Sequence, residues 1–433
     1  MPIADSSLSV VSGPLSVATT DDGPLTTDTL SQSRRHDLDW LRAGAVAVVF
    51  LYHNARFLSG PYWQLRNPQR SLAVDALVGF IALWLMPLFF LLAGASSRFA
   101  LRSRPPGRYL WSRSKRLLFP FVAGIFVLSP PQAYVEALLY SPFRGSFVEF
   151  YPRFFAARLA MPQRSLGWFF AGFGYHLWFL GFLFVYSALA LPLFRWLDGT
   201  SSGRAFVSKL AGWTRGWRVL AWVVPTALVQ TGLRVRFPNY LDLADFVYWL
   251  IFFLYGYLLF ADDRFTRAIA SLGPTALVIG VLSFFGLVAA LYAGPLANWV
   301  LRPSASAGFM LFQALWSLDA WAWVIVILSF ASRHLDFGSP ALDYANEAVL
   351  PFYILHEPLV MIIGFFVVSW SAPVQVKFVC LAALSFAATL AVYDLVVKRT
   401  RVTRALFGMK ARDYQAATAS HGTVRRFRSG MPA

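Results

Sequence analysis

Residues 76–97 read ALVGFIALWLMPLFFLLAGASS, a stretch without one charged side chain. As a helix it is roughly 33 Å long, enough to cross the hydrocarbon core of a bilayer. It is one of ten such apolar runs, at about 41–59, 73–97, 117–139, 172–195, 218–233, 243–261, 269–293, 307–331, 347–370 and 374–397. The whole chain agrees with this reading: 58% of its 433 residues are apolar and 14% are charged, against about 25% charged in a soluble domain. The composition excludes an ordinary soluble enzyme and a disordered chain. The single cysteine, Cys380, excludes an intrachain disulfide and a cysteine metal cluster. The fold class expected is all-α, a polytopic membrane bundle of about ten transmembrane helices.

The net charge of +17 would suit nucleic acid or a membrane surface. Here the basic residues lie between the apolar runs and at the C-terminal end, a pattern of membrane topology that argues against a nucleic-acid partner. With the N-terminus inside, 27 of the 38 Lys and Arg residues fall on the inner side, so both termini are expected in the cytoplasm. Residues 1–33, rich in Ser, Thr, Asp, Gly and Pro, read as a disordered cytoplasmic leader. Residues 34–398 read as the transmembrane domain and 399–433 as a basic cytoplasmic tail. A long outer loop, 140–171, interleaves Arg144, Arg153, Arg158 and Arg164 with aromatic residues, which suits the membrane interface and also stacking on sugar rings.

Ionisable groups inside a span cost several kcal/mol and are candidate functional groups by default. The first span holds Arg42 and His53, which a helix places on one face, roughly 16 Å apart along its axis. Arg56 follows three residues later on the histidine's side, with Asn54 beside it. Histidine is the usual general base near neutral pH; a histidine satisfied within the bundle, with Arg42 reaching to the interface, is the plainer alternative. Between Arg98 and Arg116 lie seven cations and no acid. Arg113 and Arg116 share a face as the third span begins. They suit a topology signal and lipid phosphates, or a polyphosphate ligand such as coenzyme A. In the ninth span, Tyr353-Ile-Leu-His356-Glu357-Pro358 predicts a broken or kinked helix. Glu136, near the outer end of the third span, is a candidate partner for Arg56 or for an acceptor hydroxyl. His176, in His176-Leu-Trp178-Phe-Leu, reads as structural. The histidines at 36, 53, 176, 334, 356 and 421 are scattered along the chain, and no metal site is expected.

Together, Arg42-x10-His53, Pro87-Leu-Phe-Phe-Leu-Leu-Ala-Gly94, Arg113-x-x-Arg116, His176-Leu-Trp178-Phe-Leu and Phe352-Tyr-Ile-Leu-His356 resemble the acyltransferase-3 family of integral membrane acyltransferases over about 36–398. Asp39-Trp-Leu-Arg42, Leu117-Leu-Phe-Pro120 and Pro130-Pro-Gln-Ala-Tyr134 resemble its glucan biosynthesis protein C branch, which is associated with succinylation of periplasmic glucans. The resemblance implies a multi-pass protein of the bacterial cytoplasmic (inner) membrane. It would move an acyl group, acetyl or succinyl, from cytoplasmic acyl-CoA to a hydroxyl of a sugar, glycan or other envelope acceptor. His53 would be the base, with Asn54 or Arg56 steadying the oxyanion. Arg42, Arg113 and Arg116 would hold the acyl-CoA phosphates, and Glu136, Trp178, Tyr353, His356 and Glu357 would line the substrate pocket. Acyl-CoA is then a donor substrate, with no permanently bound cofactor, and membrane lipids surround the bundle. A secondary transporter of a lipid-linked or sugar substrate is the competing reading.

Overall fold

Where apolar side chains face lipid, backbone N–H and C=O groups have to be satisfied within their own segment, and the long apolar runs of this chain do so as helices. The computed structural model describes residues 35–59, 64–69, 71–162, 165–292, 297 and 301–410; among these there is no strand. The expected leader and residues 411–433 of the expected tail lie outside the described residues.

In chain order, α1 (His36–Arg56) and α2 (Leu72–Arg102) lead into a continuous helical stretch. This is built of α3 (Pro106–Arg113), a π-turn at Ser114–Leu118, α4 (Phe119–Val127) and α5 (Ser129–Tyr140). Next come α6 (Phe147–Ala160), then α7 (Leu166–Gly174) joined by a 3₁₀ turn at Tyr175–Leu177 to α8 (Trp178–Leu189). The short pair α9 (Leu191–Gly199) and α10 (Ser201–Trp213) leads through Gly216–Trp222 into α11 (Val223–Arg236). The remainder is α12 (Leu243–Leu259), α13 (Asp263–Tyr292), α14 (Ala307–His334), α15 (Pro340–Val367), α16 (Val374–Val392) with a π-turn at Tyr393–Val397, and α17 (Arg401–Leu406).

Seven of these stretches are long and apolar enough to cross a membrane: Leu72–Arg102, Pro106–Tyr140, Leu166–Leu189, Asp263–Tyr292, Ala307–His334, Pro340–Val367 and Val374–Val397. The other three runs read from the sequence also fold as helices, but α12 is shorter and α1 and α11 are not among the seven. Asp37, Asp39, Arg42 and His53 in α1, and Gln230, Arg234 and Arg236 in α11, interrupt their apolar character. Along α13, Leu277, Val278, Leu282 and Phe285 are exposed, and along α16 so are Val376, Val379, Leu384 and Phe386. Apolar faces of that extent belong against lipid tails.

Two expectations are corrected. The segment read as an outer loop contains α6, whose first turn is capped by Ser146 accepting from the Glu149 N–H at 3.4 Å. Of the two readings of the ninth span, broken or kinked, the broken one is overturned, because α15 runs unbroken through Pro351 and Pro358. Proline removes one helix bond, and a packed bundle supplies another donor for the freed carbonyl. Pro358 frees the carbonyl of Ile354 in this way.

The interior is held by aromatic packing and one very close helix pair. Phe90 of α2 stacks on Trp249 of α12 at 5.6 Å. One turn further on, the two backbones meet at Gly94 and Gly256. A Cβ on Gly94 would stand 1.9 Å from the Phe253 carbonyl oxygen, and one on Gly256 would stand 1.8 Å from that of Leu91. One end of the bundle carries the arginines: Arg98 pairs with Asp198, and Arg404 with Glu347 at 3.1 Å. At the other end Lys377 donates to Asn67 at 3.3 Å and to the Val368 carbonyl at 3.0 Å.

Candidate active site

The helices enclose a cavity of about 1190 Å³, walled by α1, α2, α5 to α8, α11, α12, α14 and α15. From α1 it is lined by Val49, Tyr52, His53 and Arg56; from α15 by Tyr353 and Glu357. The helical spacing that puts Val49, His53 and Arg56 on one face of α1 is what turns the histidine into this space.

Glu357 is the centre of the polar wall. Its Oε2 lies 3.2 Å from Nδ1 of His53 and 3.2 Å from Nδ1 of His176, and its side chain is 2% exposed. His176 sits on the 3₁₀ turn between α7 and α8. Its Nε2 is 3.1 Å from the Tyr353 carbonyl oxygen, and the Tyr353 hydroxyl donates back to the His176 carbonyl at 2.5 Å. His356 turns its Nδ1 to the same Tyr353 oxygen at 2.7 Å. A carbonyl only accepts, so these contacts place hydrogens on Nε2 of His176 and Nδ1 of His356. The three imidazoles meet edge-on, at 5.1 Å for His53–His356 and 5.2 Å for His176–His356 between ring centres.

The histidines that look scattered in the sequence therefore converge. Ligand atoms of His53, His356 and Glu357 lie within 4.8 Å of one another. A tetrahedral ion at bonds of roughly 2.1 Å asks for separations of about 3.4 Å; a 3.2 Å contact between ring nitrogen and carboxyl oxygen falls near that value as well as within reach of a shared proton.

The turn that carries His176 is strained and tied. Tyr175 has φ of 49°, a region that non-glycine residues rarely occupy. Its hydroxyl donates to Glu136 Oε2 at 3.1 Å and accepts from Arg158 at 2.9 Å. Glu136 and Arg158 both line the cavity, so Glu136 anchors the histidine's turn rather than reaching Arg56. Trp178 lines the opposite wall and stacks on Trp249 at 5.1 Å. A third polar group on the cavity wall is formed by Gln230, Arg234 and Asp245. Arg234 pairs with Asp245 and its Nε donates to Gln230 at 2.9 Å. Arg234 and Asp245 sit near helix ends, where sequence gave no reason to separate them from ordinary interfacial charges.

Two expected site residues, Asn54 as an oxyanion donor and His356 as a pocket residue, lie elsewhere. Asn54 faces α16: its amide donates to the Phe50 carbonyl at 2.9 Å and its oxygen accepts from Ser385 at 3.4 Å. His356 is fully buried behind His53 and does not line the cavity. Arg56 does line it and donates to Ser59 at 3.2 Å.

The three candidate donor arginines come together at the other end of α1. Arg42 bonds Asp39 at 2.8 Å and Ser96 at 2.9 Å, and Arg113 bonds Ser97 at 2.9 Å. Arg42, Arg104 and Arg113 all lie within electrostatic reach of Arg116. None of the three lines the cavity.

A helical membrane protein with an imidazole–carboxylate pair in an internal cavity is the architecture expected of an integral membrane acyltransferase. The acyltransferase-3 family model, an acyltransferase domain, matches residues 35–396, and the chain belongs to that family. It is 23% identical over 356 residues to glucans biosynthesis protein C of Escherichia coli K12, covering 80% of this chain and 87% of the relative. The proteins of that name from Escherichia coli O157:H7 and from strain 536 of serotype O6:K15:H31 match with the same identity and coverage. No solved structure matches the chain.

Proposed function

We propose that the protein is an O-acyltransferase of the cytoplasmic membrane that moves an acyl group from cytoplasmic acyl-CoA to a hydroxyl of an envelope glycan or related acceptor. The observation that carries this reading is the 3.2 Å contact between Nδ1 of His53 and Oε2 of Glu357 on the cavity wall. With Nδ1 nearest the carboxyl, Nε2 is the ring nitrogen that acts as the base. It takes the proton of the acceptor hydroxyl as the oxygen attacks the thioester carbonyl. Arg56, on the same wall, steadies the developing oxyanion; Asn54, turned to α16, takes no part. Trp178, Trp249 and Tyr240 offer apolar ring faces to a sugar.

The arginine cluster of Arg42, Arg113 and Arg116 suits the diphosphate and ribose phosphate of coenzyme A. The distance along α1 separates the nucleotide end from the reacting carbon, so the pantetheine arm is the part that has to enter the bundle. The topology that goes with this has ten crossings, adding α1, α11 and α12 to the seven longest. Both termini, the leader 1–33 and the basic tail 399–433, are then cytoplasmic. The relatives named glucans biosynthesis protein C make a glucan acceptor the first to test.

The test is thiol release from acetyl-CoA and succinyl-CoA by the full-length protein in nanodiscs, with wild type against His53→Asn. Loss of roughly 100-fold or more in kcat is expected for removal of a general base. Normal turnover in His53→Asn would sink the assignment.

A further inference from the structure

Two histidines contact the same oxygen of Glu357, but their protons are fixed differently. His176 turns Nε2 to the Tyr353 carbonyl oxygen at 3.1 Å. That nitrogen therefore carries its hydrogen. The other nitrogen of the ring, Nδ1, stands 3.2 Å from Glu357 Oε2, with side-chain exposures of 4% and 2%. A neutral His176 beside a carboxylate would hold a nitrogen lone pair close to a negative charge in a low-dielectric interior, which is repulsive. One proton held by the pair replaces that repulsion with an attraction between donor and acceptor. His53 can carry its hydrogen on Nδ1, the nitrogen nearest the same oxygen.

We infer that His176 and Glu357 share one proton in the resting site, and that this proton is delivered to the sulfur of the departing coenzyme A. The inference rests on the reading of His53 as the base. His53 takes the hydroxyl proton as the C–O bond forms. The tetrahedral intermediate collapses, the C–S bond breaks and its electron pair goes to sulfur. The shared proton moves to that sulfur, giving the free thiol. The site is reset when His53 releases its proton to water and the His176–Glu357 pair takes one up. The cavity wall explains the need for an acid. Met86, Phe89 and Phe179 line the same cavity, and an unprotonated thiolate left against apolar side chains carries a large desolvation cost.

The fold holds His176 for this task. Tyr353 grips the residue at both ends, through its carbonyl to the ring and through its hydroxyl to the backbone at 2.5 Å. The left-handed turn at Tyr175 is pinned by Glu136 and Arg158. His356 lies behind the cavity wall and cannot meet the sulfur.

The test compares two donors carrying the same acyl group: acyl-CoA, and the S-acyl ester of 4-nitrothiophenol, whose thiolate leaves without a proton. His176→Asn is expected to lose about 100-fold in kcat with acyl-CoA, as for removal of a general acid, and less than about 5-fold with the nitrothiophenyl ester. His53→Asn is expected to lose equally with both. Equal losses in His176→Asn overturn the inference and leave the His53 base standing; full activity in His53→Asn overturns the reading beneath it. If His176→Asn does not fold, wild type decides with a series of thioesters of graded thiol acidity. A flat kcat supports proton delivery, and a kcat that rises steeply with thiol acidity refutes it.

Discussion

Oε2 of Glu357 on α15 stands 3.2 Å from Nδ1 of His53 on α1, so two helices far apart in the chain build one wall of the cavity. In the proposed mechanism a carboxylate at that position stabilises the imidazolium formed when the base takes its proton. Glu357→Gln keeps the shape and removes the charge. It is expected to lower kcat for thiol release roughly 100-fold, with KM for acyl-CoA changed less than about threefold. A rise in KM at unchanged kcat would show that Glu357 binds substrate rather than serving His53.

The arginines at the far end of α1 predict the opposite pattern. Arg113 is held by Ser97, and Arg42 by Ser96, on adjacent positions of α2. Arg113→Ala combined with Arg116→Ala would remove the proposed phosphate contacts, which serve ground and transition states alike. KM for acyl-CoA is expected to rise roughly tenfold with kcat within about twofold. An S-acyl pantetheine, which lacks the nucleotide, should be turned over equally by both proteins. An unchanged KM for acyl-CoA would refute the donor site.

The helical class and the His53–Arg56 face were legible because they depend on local periodicity and on the rarity of ionisable groups in apolar runs. The partners of His53 were not. Glu357 is adjacent to His356 in sequence, but helical geometry turns the two side chains about 100° apart, and only packing of α15 against α1 and α8 shows which one faces the cavity. His176 read as structural because it stands alone in its span. A signal was present in Pro358: the carbonyl it frees, that of Ile354, needs a donor from another helix, and the His176 ring is among its neighbours. The ends of α1 and α11 were hard to place for a related reason. His53 and Arg56 of α1 and Gln230 and Arg234 of α11 face the cavity and lower the mean hydropathy by which spans are recognised.

The convergence of His53, His356 and Glu357 within 4.8 Å calls for a direct test of metal dependence. The proton transfers proposed for His53 and Glu357 need no bound ion. Prolonged exposure to EDTA or 1,10-phenanthroline is expected to leave thiol release unchanged, and elemental analysis to find less than about 0.1 equivalent of zinc per chain. Loss of activity with chelator and recovery with zinc would replace the proton cluster by a metal site.

The contact of α2 with α12 places the Trp178 and Trp249 side of the cavity, and it depends on two glycines. A methyl group on Gly256 would stand 1.8 Å from the Leu91 carbonyl oxygen and 2.9 Å from the Ala95 nitrogen, both backbone atoms. Neither can swing aside as a side chain would, so the helices have to separate. Overpacking of this kind costs about 1–3 kcal/mol. Gly256→Ala is expected to lower the thermal midpoint in detergent by several degrees, and Gly94→Ala to do the same. The two substitutions face one another across a shared contact. Once one methyl has forced the helices apart, the second meets more room, so the double variant should lose less than the sum of the single losses. Strict additivity, or wild-type stability in either single variant, would mean that the backbones do not approach this closely.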